Sequence, residues 1–506
     1  MTEGKNVVMI ILDGWGYCCD NDYCNAVRQA RTPTLDSLFA QYPHTLLEAS
    51  GEAVGLVAGQ MGNSNVGHLN IGAGRIVYQD IARINRALAD GSLARSPVVQ
   101  QILSAARDNT LHLMGLVSDG GVHSHIDHLT GLLRLAHQAR VPRVCVHAFL
   151  DGRDVPPQSA RPYLQEVEAL LQELGYPPVA SIMGRYWAMD RDQRWDRVER
   201  AFQVLVHGQG RLAASAGQGL QAAYANGEMD EFVAPTVITK EDQPVGTIQD
   251  GDVVFFFNFR ADRAREISQA FVKDDFQGFA RRRPHIKYFT MTQYEPELAV
   301  PCVFAPQILD NTLGEVVAQN GLRQLRVAET EKYAHVTYFF NGGREEPFAG
   351  EERCLIPSPP VSTYDQQPEM SAAGVAKAAV AGIASGSYGL VVVNLANCDM
   401  VGHTGIMPAA VAAVAAVDKA VNEIVAAAQA AGSVVMLFGD HGNAELMVNE
   451  ETGQPHTAHT NNPVPFVLIG QPAQLRNGIL ADIAPTALQL MKLPIPAQMT
   501  GRSLII

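Results

Sequence analysis

Three aspartates and three histidines, each at or near the end of an apolar run, are the residues of this sequence best placed to do chemistry. Asp13 follows Asn6-Val-Val-Met-Ile-Ile-Leu12 and opens Asp13-Gly-Trp-Gly16. Asp399 and His403 lie in Asn397-Cys-Asp-Met-Val-Gly-His403, just past Gly389-Leu-Val-Val-Val-Asn-Leu395. A helix starting there puts both on one face. Asp440 and His441 sit in Gly439-Asp-His-Gly-Asn443 after another apolar run, and His459 belongs to His456-Thr-Ala-His-Thr-Asn-Asn-Pro463. Carboxylate and imidazole donors in this number suit two divalent transition ions such as Mn²⁺ or Zn²⁺. One such residue alone is better explained as a cap or a turn. Asp/His clusters at three separate run ends are not.

A nucleophile is available to such ions. Gly59-Gln-Met-Gly-Asn-Ser-Asn-Val-Gly-His68 is a glycine-rich stretch with Ser64 at its centre. Asn63 and Ser64 can cap a helix start, whose free N–H groups favour an anion. A serine hydroxyl needs a base or a metal to become reactive, and two metals can also clamp a phosphoryl group. A second set of residues points to an anionic ligand. Arg153, Arg185, Arg191, Arg260 and Arg263, with His123 and Asp154, cluster in 118–263, and Lys332 follows later. Guanidinium forks bind carboxylate and phosphate bidentately, so the expected substrate is small and strongly anionic.

The elements that must position these groups alternate between strand and helix. Asn6–Leu12 is apolar throughout, as for a strand buried on both faces, and α/β proteins place ligands at the carboxyl ends of such strands. Thr32-Pro-Thr-Leu opens a helix with Pro33 at its first position. Helical pattern is expected over roughly 78–107. Strands at 111–117, 143–150, 179–182 and 252–257 alternate with helices near 125–140, 158–174 and 262–272. A third stretch brings helix 312–320, strand 323–328 and a Gly/Pro-rich loop to about 368. It ends with helix 370–384, strand 389–395, helix 408–431, strands 433–438 and 464–469, and helix 479–491. The fold class is α/β. Asp13 must meet ligands near the C-terminus. Residues 1–76 and 310–506 are therefore expected to form one metal-binding domain, with 77–309 inserted as a second α/β domain that binds substrate.

Composition excludes several classes. The chain has 506 residues, 47% of them hydrophobic, and a net charge of −14. That charge argues against sequence-independent nucleic-acid binding. No apolar run is long enough to span a membrane and no secretory leader is evident, so a cytoplasmic protein is expected. Seven cysteines without a C-x-x-C pair fit reduced thiols, although Cys18, Cys19 and Cys24 are close enough together to bind a metal.

Taken in order, the motifs resemble those of the cofactor-independent phosphoglycerate mutases of the alkaline phosphatase superfamily. The resemblance covers essentially the whole chain. It rests on Leu12-Asp-Gly-Trp-Gly16, Gln60-Met-Gly-Asn-Ser64, Val66-Gly-His-Leu-Asn-Ile-Gly-Ala-Gly-Arg75, Ser118-Asp-Gly-Gly-Val-His-Ser-His125 and Asp151-Gly-Arg-Asp154. Asn258-Phe-Arg-Ala-Asp-Arg263, Glu331-Lys-Tyr-Ala-His-Val336, Asp399-Met-Val-Gly-His-Thr-Gly405 and Gly439-Asp-His-Gly-Asn443 complete it.

The resemblance implies an alkaline-phosphatase-like domain with a central, mostly parallel sheet. It implies one ion held by Asp13, Ser64, Asp440 and His441, and another by Asp399, His403 and His459. Mn²⁺ is the expected metal, with Zn²⁺, Co²⁺ or Mg²⁺ as alternatives. His123, Arg153, Asp154, Arg185, Arg191, Arg260 and Arg263 match substrate-binding positions, and Lys332 matches the lysine at the phosphoryl group. Asn65 stands where the family usually has glutamate, and Cys398 where proline or a small residue is commoner. The implied activity interconverts 3- and 2-phosphoglycerate through phosphorylated Ser64. Asp154 serves as acid/base there, Lys332 and Arg263 offset charge, and closure near 76–80 and 305–312 excludes water. The family expectation is a monomer. A metal-dependent phosphatase or phosphodiesterase of the same superfamily is the alternative, but it has no need of the DGRD and NFRADR motifs. A metal-stabilised binding protein has no need of the serine.

Overall fold

The computed structural model describes residues 4–18, 22–449 and 451–506. Its chain divides into two compact units, Met1–Gln79 with Ile308–Ile506, and Asp80–Gln307.

The discontinuous unit is built on an eight-stranded sheet. Its order is Glu351–Ile356, Gln324–Glu329, Leu390–Leu395, Val7–Leu12, Val434–Gly439, Val464–Ile469, His44–Glu48 and Gly478–Ile479. The first five are mutually parallel. Val464–Ile469 runs antiparallel to both of its neighbours. Val7–Leu12 explains why its sequence is apolar throughout. Val7, Met9 and Ile11 enter the core on one face, and Val8, Ile10 and Leu12 the core on the other. Met407–Ala430 and Ala372–Ala384 cover one face. Ser64–Ala73 and Ile483–Met491 contribute to the core on the other.

Asp80–Gln307 repeats the plan. Cys302–Phe304, Lys287–Thr292, Val253–Phe256, Leu111–Leu116, Val144–Leu150 and Ser181–Gly184 are consecutive parallel strands. Thr236–Lys240 follows antiparallel, then Arg211–Ala213, with Gln243–Pro244 pairing off Thr236–Lys240. Helices Ile126–Gln138 and Ala160–Glu173 fill one face, Trp195–His207 and Arg265–Val272 the other.

The structure differs from the sequence expectations in several places; helices Trp195–His207 and Ala216–Ala225 and strands Thr236–Lys240 and Lys287–Thr292 lie in stretches to which the sequence assigned no element. The segment expected as a single helical stretch over 78–107 is three helices, Asp80–Ala89, Ser92–Arg95 and Pro97–Ala105, broken at Gly91 and Pro97. The stretch expected as loop to about 368 contains a π-helical turn, His335–Phe339, and the edge strand Glu351–Ile356. Strand His44–Glu48 was not expected at all. It is polar at both ends and pairs only with strands distant in sequence. Cys18 and Cys24 form no disulfide among the described residues, and Cys19 lies outside them. Among the described residues, no helix is long and apolar enough to cross a membrane.

Candidate active site

Sheet order alone brings one set of groups together. Gln324–Glu329, Leu390–Leu395, Val7–Leu12 and Val434–Gly439 are neighbours, and their carboxyl ends lead to Lys332, Asp399, Asp13 and Asp440-His441. Ser64 begins helix Ser64–Ala73, and the Asn63 side chain caps that helix by accepting from the Val66 N–H at 3.1 Å. Ser64 Oγ donates to Asp13 Oδ1 (3.1 Å), accepts from Lys332 Nζ (2.7 Å) and lies 3.0 Å from His441 Nε2. Lys332 Nζ also sits 2.7 Å from Asp13 Oδ1 and 2.5 Å from Asp399 Oδ2. Burial by itself disfavours the ammonium. The carboxylates of Asp13, Asp399 and Asp440 outweigh it and hold Lys332 well above its ordinary pKa. His441 behaves alike: burial lowers it, but Asp440, Asp13 and Asp399 carry it up to about 10. Asp13 and Asp399 are held below the usual carboxylate range, because Lys332 and neighbouring histidines overcome the cost of burial.

Beside this lies a nest of acceptors. His403 Nδ1 contacts the Thr457 carbonyl at 2.7 Å and His459 Nδ1 the Gly62 carbonyl at 2.8 Å. A carbonyl only accepts, so in the neutral ring each Nδ1 carries the proton and each Nε2 offers a lone pair. These two Nε2 atoms are 3.0 Å apart and each is 3.1 Å from Asp399 Oδ1. Three electron-rich atoms facing one another at this spacing suit a cation, and Nδ1–H bonds to carbonyls are the usual support for metal-binding imidazoles. The ligand atoms of Asp399, His403 and His459 all lie within 4.8 Å of one another, as do those of Asp13, Asp399 and His441 and those of Asp13, His68 and Asp440. Asp440 Oδ1 accepts from the Gly14 N–H at 3.2 Å, while its buried Oδ2 accepts no hydrogen bond among the described residues. The residues present therefore fit divalent cations.

The second set lies in Asp80–Gln307, again past the carboxyl ends of neighbouring parallel strands. Val253–Phe256, Leu111–Leu116, Val144–Leu150 and Ser181–Gly184 lead to Arg260, His123, Arg153-Asp154 and Arg185. Buried Asp151 organises the turn: its Oδ1 accepts from the N–H groups of Arg153 (3.2 Å) and Asp154 (3.0 Å) and from Arg185 Nη1 (2.7 Å). Arg185 Nη1 also meets Asp154 Oδ2 at 2.5 Å. Asp262 joins Arg260 Nε (3.0 Å) and Arg191 Nη1 (3.3 Å), with His123 Nδ1 at 3.8 Å. Arg153 turns to Glu231 at 3.3 Å. Arg263 pairs with no carboxylate among the described residues; its Nη1 donates to the Met189 carbonyl at 3.1 Å. Burial, then repulsion by Arg185, Arg191 and Arg153, lowers its pKa. Burial and Arg185 push His123 down to about 4, so it is neutral near pH 7.

Comparison with known proteins is decisive. The chain is 55% identical over 510 residues to the 2,3-bisphosphoglycerate-independent phosphoglycerate mutase of Symbiobacterium thermophilum, covering 99% of this chain and 98% of that relative. It belongs to that mutase family. A relative so named from Methanosarcina acetivorans is 52% identical, covering 100% of this chain and 98% of its own length. The family profile described as BPG-independent PGAM N-terminus matches residues 84–296. A crystal structure of Leishmania mexicana phosphoglycerate mutase at low cobalt concentration aligns with a TM-score of 0.59 and 33% identity, covering 99% of this chain and 98% of that one.

Several residues of this family member went unnoticed in the sequence. His68 is wholly buried. Its Nδ1 meets the Ser64 carbonyl at 2.9 Å and lies 3.2 Å from Asp440 Oδ2, and its Nε2 accepts from Asn394 Nδ2 at 3.0 Å. Asn394 also donates to Asp13 Oδ2 at 2.7 Å. Two signals were available: His68 is one helical turn from Ser64, and Asn394 is a lone amide in an apolar strand. Asn65, the departure beside Ser64, accepts at its Oδ1 from His335 Nε2 at 2.8 Å and so ties the serine's helix to the Lys332 segment. Cys398 is fully buried in the apolar core, where a small residue fits.

Proposed function

We propose that this chain interconverts 3-phosphoglycerate and 2-phosphoglycerate without 2,3-bisphosphoglycerate, with Ser64 as the transient phosphate carrier. The observation that carries this reading is the Ser64 environment. One hydroxyl donates to Asp13 while accepting from Lys332, so its proton has an acceptor and its developing negative charge a donor. Asp13, Ser64, Asp440 and His441 would hold one divalent ion, and Asp399, His403 and His459 the other. Mn²⁺ or Co²⁺ suits this oxygen and nitrogen set; the Leishmania relative was crystallised with cobalt. Bound ions supply Lewis acidity at the phosphoryl oxygens and lower the pKa of a coordinated hydroxyl.

The chain's own residues do the remainder. Ser64 Oγ forms a bond to phosphorus as the ester bond to one glycerate oxygen breaks, and that oxygen takes up a proton. The second transfer reverses this at the other glycerate hydroxyl, with Asp154 as the acid and base for both. Asp154 is oriented for this by Arg185. Arg153, Arg191, Arg260 and Arg263, with neutral His123, hold the glycerate. Among the described residues Arg263 is the one of these guanidiniums with no carboxylate to give up, and therefore the first to take the ligand's charge.

On this reading the enzyme is a cytoplasmic monomer, checked by a light-scattering mass equal to one chain. The deciding assay supplies 3-phosphoglycerate and enolase without bisphosphoglycerate, with chelator and then with Mn²⁺ restored. Turnover that needs the metal is expected. Release of inorganic phosphate instead of enolase-coupled product would identify a phosphatase.

A further inference from the structure

Glu445 is 1% exposed and pairs with no lysine or arginine among the described residues. Its carboxylate is held by neutral donors instead. Oε2 accepts from the Gly16 N–H at 3.0 Å and the Asn443 N–H at 2.8 Å. Oε1 accepts from Asn462 Nδ2 at 3.0 Å and from the Thr460 hydroxyl. Each donor belongs to a turn that also carries a candidate metal ligand: Gly16 follows Asp13, Asn443 follows Asp440-His441, and Thr460 and Asn462 follow His459. Asn443 extends the set to the fourth turn, since its Nδ2 donates to Asp399 Oδ1 at 3.1 Å. The fit is close. A Cβ on Gly16 would stand 2.3 Å from Glu445 Cδ, and one on Gly442 2.3 Å from Oε1, so glycine at both places lets the turns close on the carboxylate.

We propose that Glu445 is a positioning residue that presets all four ligand-bearing turns for the two divalent ions. It touches neither substrate nor any candidate ligand atom. It acts by fixing backbone and Asn443, and a metal site tolerates only about 0.2 Å of error in ligand distance. The inference rests on the two-metal reading above.

Removal of such an outer partner lowers metal affinity by about 10–100-fold. Glu445→Ala should do this in a chain that keeps its circular dichroism spectrum. Glu445→Gln should bind within about threefold of wild type if geometry is what matters, because the Thr460 hydroxyl and the Asn462 amide can both reverse and accept from the new amide. The measurement is Mn²⁺ titration of the full chain followed by the electron paramagnetic resonance of free Mn²⁺, which gives stoichiometry and Kd without turnover. Wild-type affinity in Glu445→Ala, or equal losses in Ala and Gln, overturns the positioning role. Should Glu445→Ala not fold, the Thr460→Val/Asn462→Ala double variant strips the Oε1 donors alone. Several-fold weaker Mn²⁺ binding then supports the proposal, and unchanged binding overturns it. A wild-type chain that takes up no Mn²⁺ refutes the two-metal reading itself, which is a separate result.

Discussion

The two units use the same device and fill it with opposite charge. In each, four neighbouring parallel strands deliver functional residues at their carboxyl ends. The Ser64 cluster is buried and dominated by Asp13, Asp399 and Asp440, with Lys332 as its ammonium. The arginine cluster is partly exposed, and most of its guanidiniums already have a carboxylate: Asp151 and Asp154, Asp262, or Glu231. The first is an acidic nest that cations complete. The second is nearly balanced and must exchange internal partners for a ligand. Shared architecture therefore says where chemistry occurs, and the side chains decide which chemistry.

The largest expected effect separates the two clusters. Ser64→Ala should lower kcat by at least about 10⁴-fold, as loss of a nucleophile does. Binding of 3-phosphoglycerate, followed by calorimetry, should change little. Phosphate trapped during turnover should be found on Ser64 by mass spectrometry; label on another residue would sink the mechanism.

Metal should act on one unit and not on the other. Mn²⁺ at about 100 times its Kd should add about 2.7 kcal/mol per site to the stability of the unit that binds it. Hydrogen exchange should show the gain in Val7–Leu12 and Val434–Gly439, and none in Leu111–Leu116 or Val144–Leu150. Equal protection in both sets would break the contrast.

Within the arginine cluster the balance predicts a ranking. Hydrogen bonds to charged groups are worth about 1.5–3 kcal/mol, so Arg263→Gln should raise KM by about 10–100-fold. Arg153→Gln should cost less, because Arg153 is exposed and must first leave Glu231. Equal losses would mean that internal pairing does not tax the cage.

Much of this was legible in the sequence, for a physical reason. A strand buried on both faces is almost wholly apolar, so polar residues at or just past its end stand out; Asp13, Asp399 and Asp440 were visible that way. Glu445, His68 and Asn394 were not. Contacts such as Gly16 to Glu445 and Asn394 to His68 and Asp13 join residues hundreds of positions apart, beyond any spacing rule, and the local signals at His68 and Asn394 do not reveal them. Strand Glu351–Ile356 was hidden because an edge strand buries little, and Glu-Glu-Arg-Cys-Leu-Ile alternates too weakly to be seen.

The smallest effect tests the contrast with a single residue type. His441 and His128 are both buried, yet they shift in opposite directions. Acidic neighbours take His441 up to about 10, whereas burial, with His125 adding repulsion, takes His128 down to about 3. The raised group adds stability that is complete below an unfolded pKa of about 6.5 and is lost as pH rises through the folded value. The depressed group adds stability that is present above about 6.5 and is lost as pH falls towards the folded value. At pH 5, protonation of His128 in the unfolded chain should therefore cost about 2 kcal/mol relative to pH 7. His128 Nε2 meets Asn85 Oδ1 at 2.7 Å, a bond that a glutamine amide can replace. His128→Gln should flatten the acid limb between pH 6.5 and 5, read as hydrogen-exchange protection of Ile126–Gln138, and leave the alkaline limb as it was. An unchanged acid limb would mean that this apolar setting does not govern the histidine's charge.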